Sequence, residues 1–256
     1  MPGAQRAPGD RGIVTGTDES QDPSDTRALL AEGDLRLLGL MPGASNYTFL
    51  GEVRDGPRRL LAVYKPRAGE MRLWDFAEGT LCRREVAASV LAEDLGWPSV
   101  PTTVFRDGPH GPGAVQLFVE ADPHEHFLTM RERRLEEFRP VALFDALINN
   151  GDRKSGHCLE GAQGTIWLVD HGVSFSVEPK LRTVIWDFAG DPIPPSLCAD
   201  LGGVAGRLDS GRLRDALLEL LSKSEVDAAA RRARALVSSG RFPVPGSERP
   251  YPWPPV

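Results

Sequence analysis

Three side chains that can bind a metal or move a proton lie close together between residues 150 and 172. Asp152 and His157 are five residues apart, and Asp170 follows an apolar run at residues 165–169 that predicts a buried strand. Phosphoryl transfer needs a carboxylate that orients the attacking hydroxyl and accepts its proton, a nearby metal ligand, and a second metal-binding carboxylate. These residue types and their spacing therefore predict a phosphoryl-transfer centre on a polar loop that faces a cleft.

The residues before this centre predict a small antiparallel sheet with one helix. Apolar and β-forming runs, separated by Pro- and Gly-containing turns, predict strands at residues 35–40, 47–53, 60–64, 100–105 and 114–119. A helical stripe at residues 81–95, ended by Gly96, separates the third strand from the fourth. This order predicts an N-terminal lobe built on an antiparallel sheet.

The downstream part is predicted to be mainly helical. Its helices are expected at residues 138–148, 213–221 and 225–237, the last beginning with a capping box at Ser224 and Asp227. Together the two parts predict an α+β fold with two lobes. We place the N-terminal lobe at residues 26–120 and the C-terminal lobe at residues 121–241.

Both ends of the chain are predicted to lie outside the lobes. Residues 1–25 are rich in Gly, Pro, Asp, Ser and Thr without apolar periodicity, which is typical of a disordered leader. Residues 242–256 contain six prolines together with Tyr251 and Trp253. We predict an extended strap that packs its aromatic rings on the domain, and the alternative is a Pro-rich ligand for a protein partner.

Composition excludes several classes of partner. A net charge of -6 and a pI near 5.5 provide no overall basic field for nucleic acid. Cys82, Cys158 and Cys198 form no CxxC pair, which fits a reducing cytoplasm rather than a disulfide framework or a thiolate zinc site. No apolar run approaches the roughly 20 residues of a membrane span, so we expect a cytoplasmic protein.

The spaced motifs resemble those of a known group of kinases. The sequence Gly-Asp-Arg at residues 151–153, a polar residue five positions after the Asp, and Asp-x-Gly at residues 170–172 resemble phosphatidylinositol 3-/4-kinases and HipA-type kinases, which are atypical relatives of protein kinases. The runs 143–158 and 169–175 are similar to a bacterial phosphatidylinositol 3-/4-kinase-like family. The resemblance implies a bilobal protein-kinase-like fold and ATP-dependent transfer of a phosphoryl group to a hydroxyl of a lipid, small-molecule or protein acceptor.

The same resemblance implies roles for individual residues. Asp152 becomes the catalytic aspartate, Arg153 beside it is also predicted to be catalytic, and Asp170 becomes a ligand of Mg or Mn. Lys65, one of only four lysines in the chain, becomes the contact to the ATP phosphates, and Glu85 becomes its ion-pair partner. Physically, a compact ammonium neutralises phosphate oxygens, and a carboxylate on a packed helix fixes its direction.

Two departures from the family pattern bear on the nucleotide site. His157 stands where the kinases have Asn, and because imidazole is a softer ligand than an amide oxygen, it suits Mn, Fe or Zn better than Mg. Either the metal preference shifts or one metal is lost. Residues 41–46 replace a Gly-rich loop, so Ser45 and Asn46 are expected to contact phosphate, although an ordinary hairpin turn explains this segment equally well. Adenine is expected to lie near Phe118 and Val119.

Other functions remain open at the level of sequence. A nucleotide-binding pseudokinase or regulatory module follows if His157 weakens catalysis. AMP transfer requires the same residues with ATP bound in a flipped orientation. A metal-dependent hydrolase would use Asp152, His157, Asp170 and His171 as metal ligands. This alternative assigns no role to Lys65. Lys180 and Arg182, which follow Asp-x-Gly, are either an anion site or part of a solvated loop.

Overall fold

The computed structural model describes residues 23–42, 47–246 and 249–256. Its N-terminal part contains strands β1 (Asp34–Leu40), β2 (Phe49–Asp55), β3 (Arg58–Pro66), β4 (Thr103–Gly108) and β5 (Gly111–Leu117). They form one antiparallel sheet in the order β1-β2-β3-β5-β4. Helix α1 (Pro23–Glu32) precedes the sheet, and helix α2 (Leu81–Leu95) connects β3 to β4.

The alternation of side chains along β3 divides the sheet into two faces. Tyr64 is fully buried with Leu29 and Leu30 of α1, whereas the next residue, Lys65, points to the opposite face. Lys65 lies directly across from Ala114, and Ala114 packs against α2. This period of two directs Lys65 toward α2 at the end of the apolar run 60–64.

Helix α2 is fixed at both ends. The Glu70 carboxylate accepts hydrogen bonds from the first two backbone N–H groups, those of Leu81 (3.1 Å) and Cys82 (2.7 Å). Gly96 ends the helix in a left-handed conformation with φ 77°, which costs little for a residue without a Cβ. The rotation of α2, and with it the direction of Glu85, is therefore set by local contacts.

The C-terminal part is mainly helical. It contains α3 (Phe127–Arg134), α4 (Arg139–Ile148), α5 (Pro195–Asp209), α6 (Arg212–Leu218) and α7 (Lys223–Ser239), together with a hairpin of β6 (Cys158–Glu160) and β7 (Ile166–Leu168). All eight residues from Val141 to Ile148 are buried, so α4 is the central helix of this lobe. The loop that carries Asp152 follows α4 directly.

Several predicted boundaries are corrected by the structure. The capping box of α7 uses Ser222 and Glu225, not Ser224 and Asp227, because the helix starts two residues earlier than predicted. Helix α5 was missed because Gly202, Gly203 and Gly206 lower its helix propensity, and its packing against α7 stabilises it instead. Strand β5 ends at Leu117, before Phe118 and Val119.

The two ends of the chain differ from their predicted descriptions. Residues 1–22 lie outside the described residues, and the last three positions of the predicted leader begin α1. The final segment, residues 249–256, runs as an extended strap, but the prediction that its aromatic rings pack on the domain is wrong. Trp253 is 88% exposed and Tyr251 is 54% exposed, whereas Pro252 is buried. In the described ranges, no helix combines the length and apolar character needed to cross a membrane.

Candidate active site

A cavity of about 310 Å³ lies between the sheet and the hairpin of the helical lobe. Val63 and Lys65 of β3 form part of one wall, and the residues after β5, Phe118 and Val119, form another. Phe118 is held in place because its N–H donates to the Leu61 carbonyl at 3.0 Å. The two residues predicted to lie near adenine thus line the same cavity as the predicted phosphate contact.

One lysine and two carboxylates meet at the inner end of this cavity. Lys65 Nζ lies 2.5 Å from Glu85 Oε1 and 3.2 Å from Asp170 Oδ1. The second oxygen of Glu85 accepts the backbone N–H of His171 at 2.8 Å. The predicted ion pair is therefore present, and it joins β3, α2 and the segment after β7 in one contact.

The three charges shift one another's protonation. Burial lowers the pKa of Lys65, but Asp170 and Glu85 outweigh burial, so its pKa is raised and the ammonium stays charged. Lys65 holds the pKa of Asp170 far below its usual range. Burial raises the pKa of Glu85 against the opposing effect of Lys65. Of the two carboxylates, Asp170 is therefore the one whose ionised form Lys65 favours more strongly.

Asp170 is held in an unusual backbone conformation beside His157. Its φ is 61°, which is uncommon for a residue with a side chain. His157 Nε2 lies 3.3 Å from Asp170 Oδ2, and its Nδ1 accepts the backbone N–H of Lys154 at 3.4 Å. Burial lowers the pKa of His157 to about 4, so the ring is neutral and its single N–H points at Asp170.

Asp152 lies close to this pair and is paired with a lysine that the sequence analysis did not assign. Its backbone N–H donates to Asn150 Oδ1 at 3.0 Å, and its Oδ2 lies 3.5 Å from Lys154 Nζ. Burial raises the pKa of Asp152 to about 6, although Lys154 opposes the shift. The rarity of lysine in this chain, and a position two residues after Asp152, were signals that could have identified Lys154.

A fully buried polar network supports the loop from behind. Arg153 Nε lies 3.1 Å from both oxygens of Asp145, and its Nη2 lies 3.0 Å from one of them and 2.8 Å from His171 Nε2. Arg153 Nη1 also donates to the Val169 carbonyl at 2.9 Å. Arg153, predicted to be catalytic, therefore lies behind the catalytic loop and ties it to the segment that carries Asp170.

The network also separates His171 from any metal-binding arrangement. Because Arg153 donates to Nε2, the ring proton sits on Nδ1, a buried atom with no hydrogen-bond partner. Its pKa is far below the usual value because the ring is buried. Within the described ranges, no three His, Cys, Asp or Glu side chains lie close enough together to hold a metal ion by themselves. A hydrolase with a metal held by protein ligands alone has no support in this geometry.

Two predictions remain, the phosphate contacts of Ser45 and Asn46 and the anion site at Lys180. Ser45 and Asn46 lie outside the described residues. Lys180 does not offer a free cation to an anionic substrate, because Asp75 Oδ2 lies 2.5 Å from its Nζ and the rings of Trp74 and Phe76 flank it.

A known protein is similar to this chain over most of its length. No protein-family model matches the sequence. Protein Rv2133c of Mycobacterium tuberculosis is 40% identical over 265 aligned positions, which cover 90% of this chain and 95% of that protein.

Two solved structures share the fold. The Golgi casein kinase with Mn/ADP bound has a TM-score of 0.55 and 18% identity, over 91% of this chain and 80% of that one. The Helicobacter pylori proinflammatory kinase CtkA has a TM-score of 0.52 and 11% identity, over 83% of this chain and 94% of that one. The predicted α+β, kinase-like fold is confirmed, whereas the finer assignment to a phosphatidylinositol 3-/4-kinase-like family is not.

The buried pair of Asp145 and Arg153 allows a direct test of how the loop is supported. Asp145→Leu leaves a buried guanidinium without its carboxylate, so we expect a loss of about 3–5 kcal/mol in the free energy of unfolding, measured with urea. The double variant Asp145→Leu/Arg153→Met should recover most of that loss, because it removes both charges together. Strictly additive losses in the two single variants and the double variant would contradict the pairing.

Proposed function

We propose that this chain, which belongs to the same protein family as Rv2133c of Mycobacterium tuberculosis, is an ATP-dependent phosphotransferase with a hydroxyl acceptor. The observation that carries the proposal is the meeting of Lys65, Glu85 and Asp170 at the inner end of the interlobe cavity, with Asp152 nearby. The bound Mn/ADP of the Golgi casein kinase supports the choice of a nucleotide and a divalent metal.

The nucleotide is assigned to the cavity of about 310 Å³. Its volume falls at the lower end of the range for small-molecule sites, and most of its lining is apolar. Adenine lies against Phe118 and Val119 in this proposal, and the phosphates lie at Lys65. The residues N-terminal to position 120 then supply most of the nucleotide contacts, and residues 121–241 supply the catalytic loop.

The donor atoms present fit a metal that the nucleotide itself helps to bind. Magnesium and manganese in nucleotide sites commonly take one or two protein ligands and complete their coordination with phosphate oxygens and water. Asp170 supplies an ionised carboxylate and His157 an adjacent ring nitrogen, 3.3 Å from it. When bound, the metal neutralises charge on the phosphates. To coordinate it, His157 must carry its proton on Nδ1 and give up both contacts of its present tautomer.

Asp152 is assigned to the acceptor. The acceptor oxygen forms a bond to the γ-phosphorus as the bond between that phosphorus and the bridging oxygen of ADP breaks. The proton of the hydroxyl passes to Asp152, whose raised pKa of about 6 makes it a better base than an ordinary carboxylate. Lys154 lowers the pKa of Asp152, which favours the ionised carboxylate, and both residues line the same cavity.

Labelled ATP gives the direct test. We expect metal-dependent release or transfer of label from the γ position of ATP, and its reduction by at least about a hundredfold in Asp152→Asn. Asp170→Ala should also lose metal-dependent ATP binding, measured by calorimetry, because the ionised ligand is removed. Transfer from the α position instead would identify AMP transfer. Undiminished ATP binding in Asp170→Ala would remove the metal assignment.

The pKa of Asp152 sets the pH dependence. Only the ionised form accepts a proton, so kcat/KM should fall about tenfold per pH unit below a pH of about 6 and level off above it. Lys154→Met removes a charge that lowers this pKa, so the acidic limb should move to higher pH. Lys154→Arg keeps the charge and serves as the control. An acidic limb at the same pH in all three proteins would contradict the role of Asp152 as base.

A second candidate function rests on the contact between His157 and Asp170. The neutral ring donates its only N–H to the carboxylate that the metal requires, and this contact competes with metal binding. A nucleotide-binding module with little or no turnover follows if the contact persists when ATP binds.

His157→Asn distinguishes the two functions. In the wild-type protein we expect higher turnover with Mn than with Mg, because imidazole is the softer ligand. The amide of His157→Asn should shift this ratio toward Mg, measured as initial rates of ATP consumption in each metal. Turnover that appears only in His157→Asn would select the regulatory module. Equal Mn/Mg ratios in the two proteins would show that His157 is not a ligand.

A further inference from the structure

A second cavity, of about 290 Å³, opens on the other side of the catalytic residues. It shares Lys65 and Asp170 with the nucleotide cavity, and Asp152 and Lys154 also line it. Because the catalytic carboxylate faces this second space, it is where an acceptor hydroxyl would meet the γ-phosphate. The walls of this cavity therefore determine which acceptors fit.

One wall belongs to the C-terminal strap. The Pro250 carbonyl accepts hydrogen bonds from the Thr183 N–H and from Trp186 Nε1, both at 3.0 Å. The Pro255 carbonyl accepts the N–H of Ser155, three residues after Asp152, at 2.8 Å. The backbone on both sides of Trp253 is thus fixed to the helical lobe, and Trp253 is one of the residues that line the cavity, with its side chain largely exposed.

Two exposed aromatic residues belong to this cavity. Among the described residues, the exposed Phe, Tyr and Trp side chains are Tyr47, Trp74, Tyr251 and Trp253. Of these four residues, Tyr47 and Trp253 line the cavity. Single exposed apolar residues are ordinary, but two aromatic residues at one concave site suit a ligand-binding surface.

The charged groups of the cavity are already paired. Lys65 contacts Glu85 and Asp170, and Lys154 contacts Asp152. The remaining lining carboxylate, Glu70, binds the first N–H groups of α2. Of the two lysines that line this cavity in the described part of the chain, Lys65 is assigned to the ATP phosphates and Lys154 pairs with Asp152, so neither is left for an anionic headgroup. An uncharged acceptor fits these walls better than a phosphorylated one.

We propose that the acceptor is an uncharged alcohol carrying a flat apolar group such as an aromatic ring, and that Trp253 of the strap selects it by stacking. This inference rests on the proposed phosphotransferase function and names the acceptor class for the same site. Stacking on indole adds to the burial of apolar area, which a small polyol cannot match. The hydroxyl then lies toward Asp152 at the base of the cavity.

Benzyl alcohol and glycerol are simple probes of this preference. With ATP labelled at the γ position and Mn, the wild-type protein should form benzyl phosphate and ADP in equal amounts, with a KM for benzyl alcohol at least about tenfold below that for glycerol. Trp253→Ala should raise the KM for benzyl alcohol about tenfold, with a much smaller change in the KM for ATP. Trp253→Phe keeps a stacking ring and should restore most of the preference.

Tyr251→Ala is the matched control, because Tyr251 is an exposed aromatic residue of the same strap that does not line the cavity. It should leave both KM values unchanged. Consumption of ATP with equal use of the two alcohols, or an equal KM in wild type and Trp253→Ala, would overturn the acceptor proposal and leave the phosphotransferase intact.

A binding measurement separates failure of the acceptor proposal from failure of the enzyme. If no ATP is bound or consumed with any metal, the proposed function fails. Saturation-transfer NMR with benzyl alcohol still tests the cavity in that case: a signal in wild type that is lost in Trp253→Ala supports the aromatic site, and equal signals in the two proteins reject it.

Discussion

A single ammonium group shared by two carboxylates organises the cleft. Lys65 contacts Glu85 and Asp170, which come from α2 and from the segment after β7. Glu85 is almost completely buried, and a buried carboxylate is tolerated only when it is paired and hydrogen-bonded. The sheet, the helix and the catalytic segment are therefore held in one relative position by an electrostatic requirement. Apolar packing alone would allow small displacements.

The charge balance of this contact also explains why a cation belongs beside it. Lys65 faces two carboxylates, of which Asp170 has a lowered pKa and Glu85 a raised one. The proposed nucleotide would bring further negative charge into the same space, so Lys65 alone would not neutralise the site. A divalent metal at Asp170 would compensate for that charge. His157 donates a hydrogen bond to the Asp170 carboxylate, so the tautomer of His157 is coupled to metal binding.

The loop that carries Asp152 depends on a second, separate group of buried polar residues. Arg153 connects Asp145 at the end of α4 with His171 and with the backbone of Val169. Its neighbour Asp152 is thereby placed by a side chain that never reaches the cleft. Burying such a group is costly, and the cost is offset because nearly every donor has an acceptor. The unpaired Nδ1 of His171 is the exception within this network.

Sequence patterns were sufficient for the parts of the site that local periodicity controls. Alternation along β3 and the helical stripe of α2 predicted the elements that carry Lys65 and Glu85, whose pairing came from the resemblance to atypical kinases, and short-range spacing singled out Asp152 and Asp170 as candidates. Arg153, predicted to be catalytic, lies buried behind the loop. Its burial depends on Asp145, eight residues earlier, and His171, eighteen residues later. The contacts of the strap could not be predicted either, because a backbone carbonyl can accept a distant N–H whatever its residue type.

The two cavities are lined by different kinds of structure. The cavity proposed for the nucleotide is lined largely by strands β3 and β5 and the β6–β7 hairpin, whose side chains also belong to the packed lobes. In the proposed acceptor cavity, the segment between β3 and α2 and the strap, which lack regular strands or long helices, join side chains of β3, α2 and the loop that carries Asp152. Such segments can change without disturbing a core. Substitutions in these two segments are therefore expected to alter the walls of this cavity with less effect on Lys65, its carboxylates and the buried Arg153.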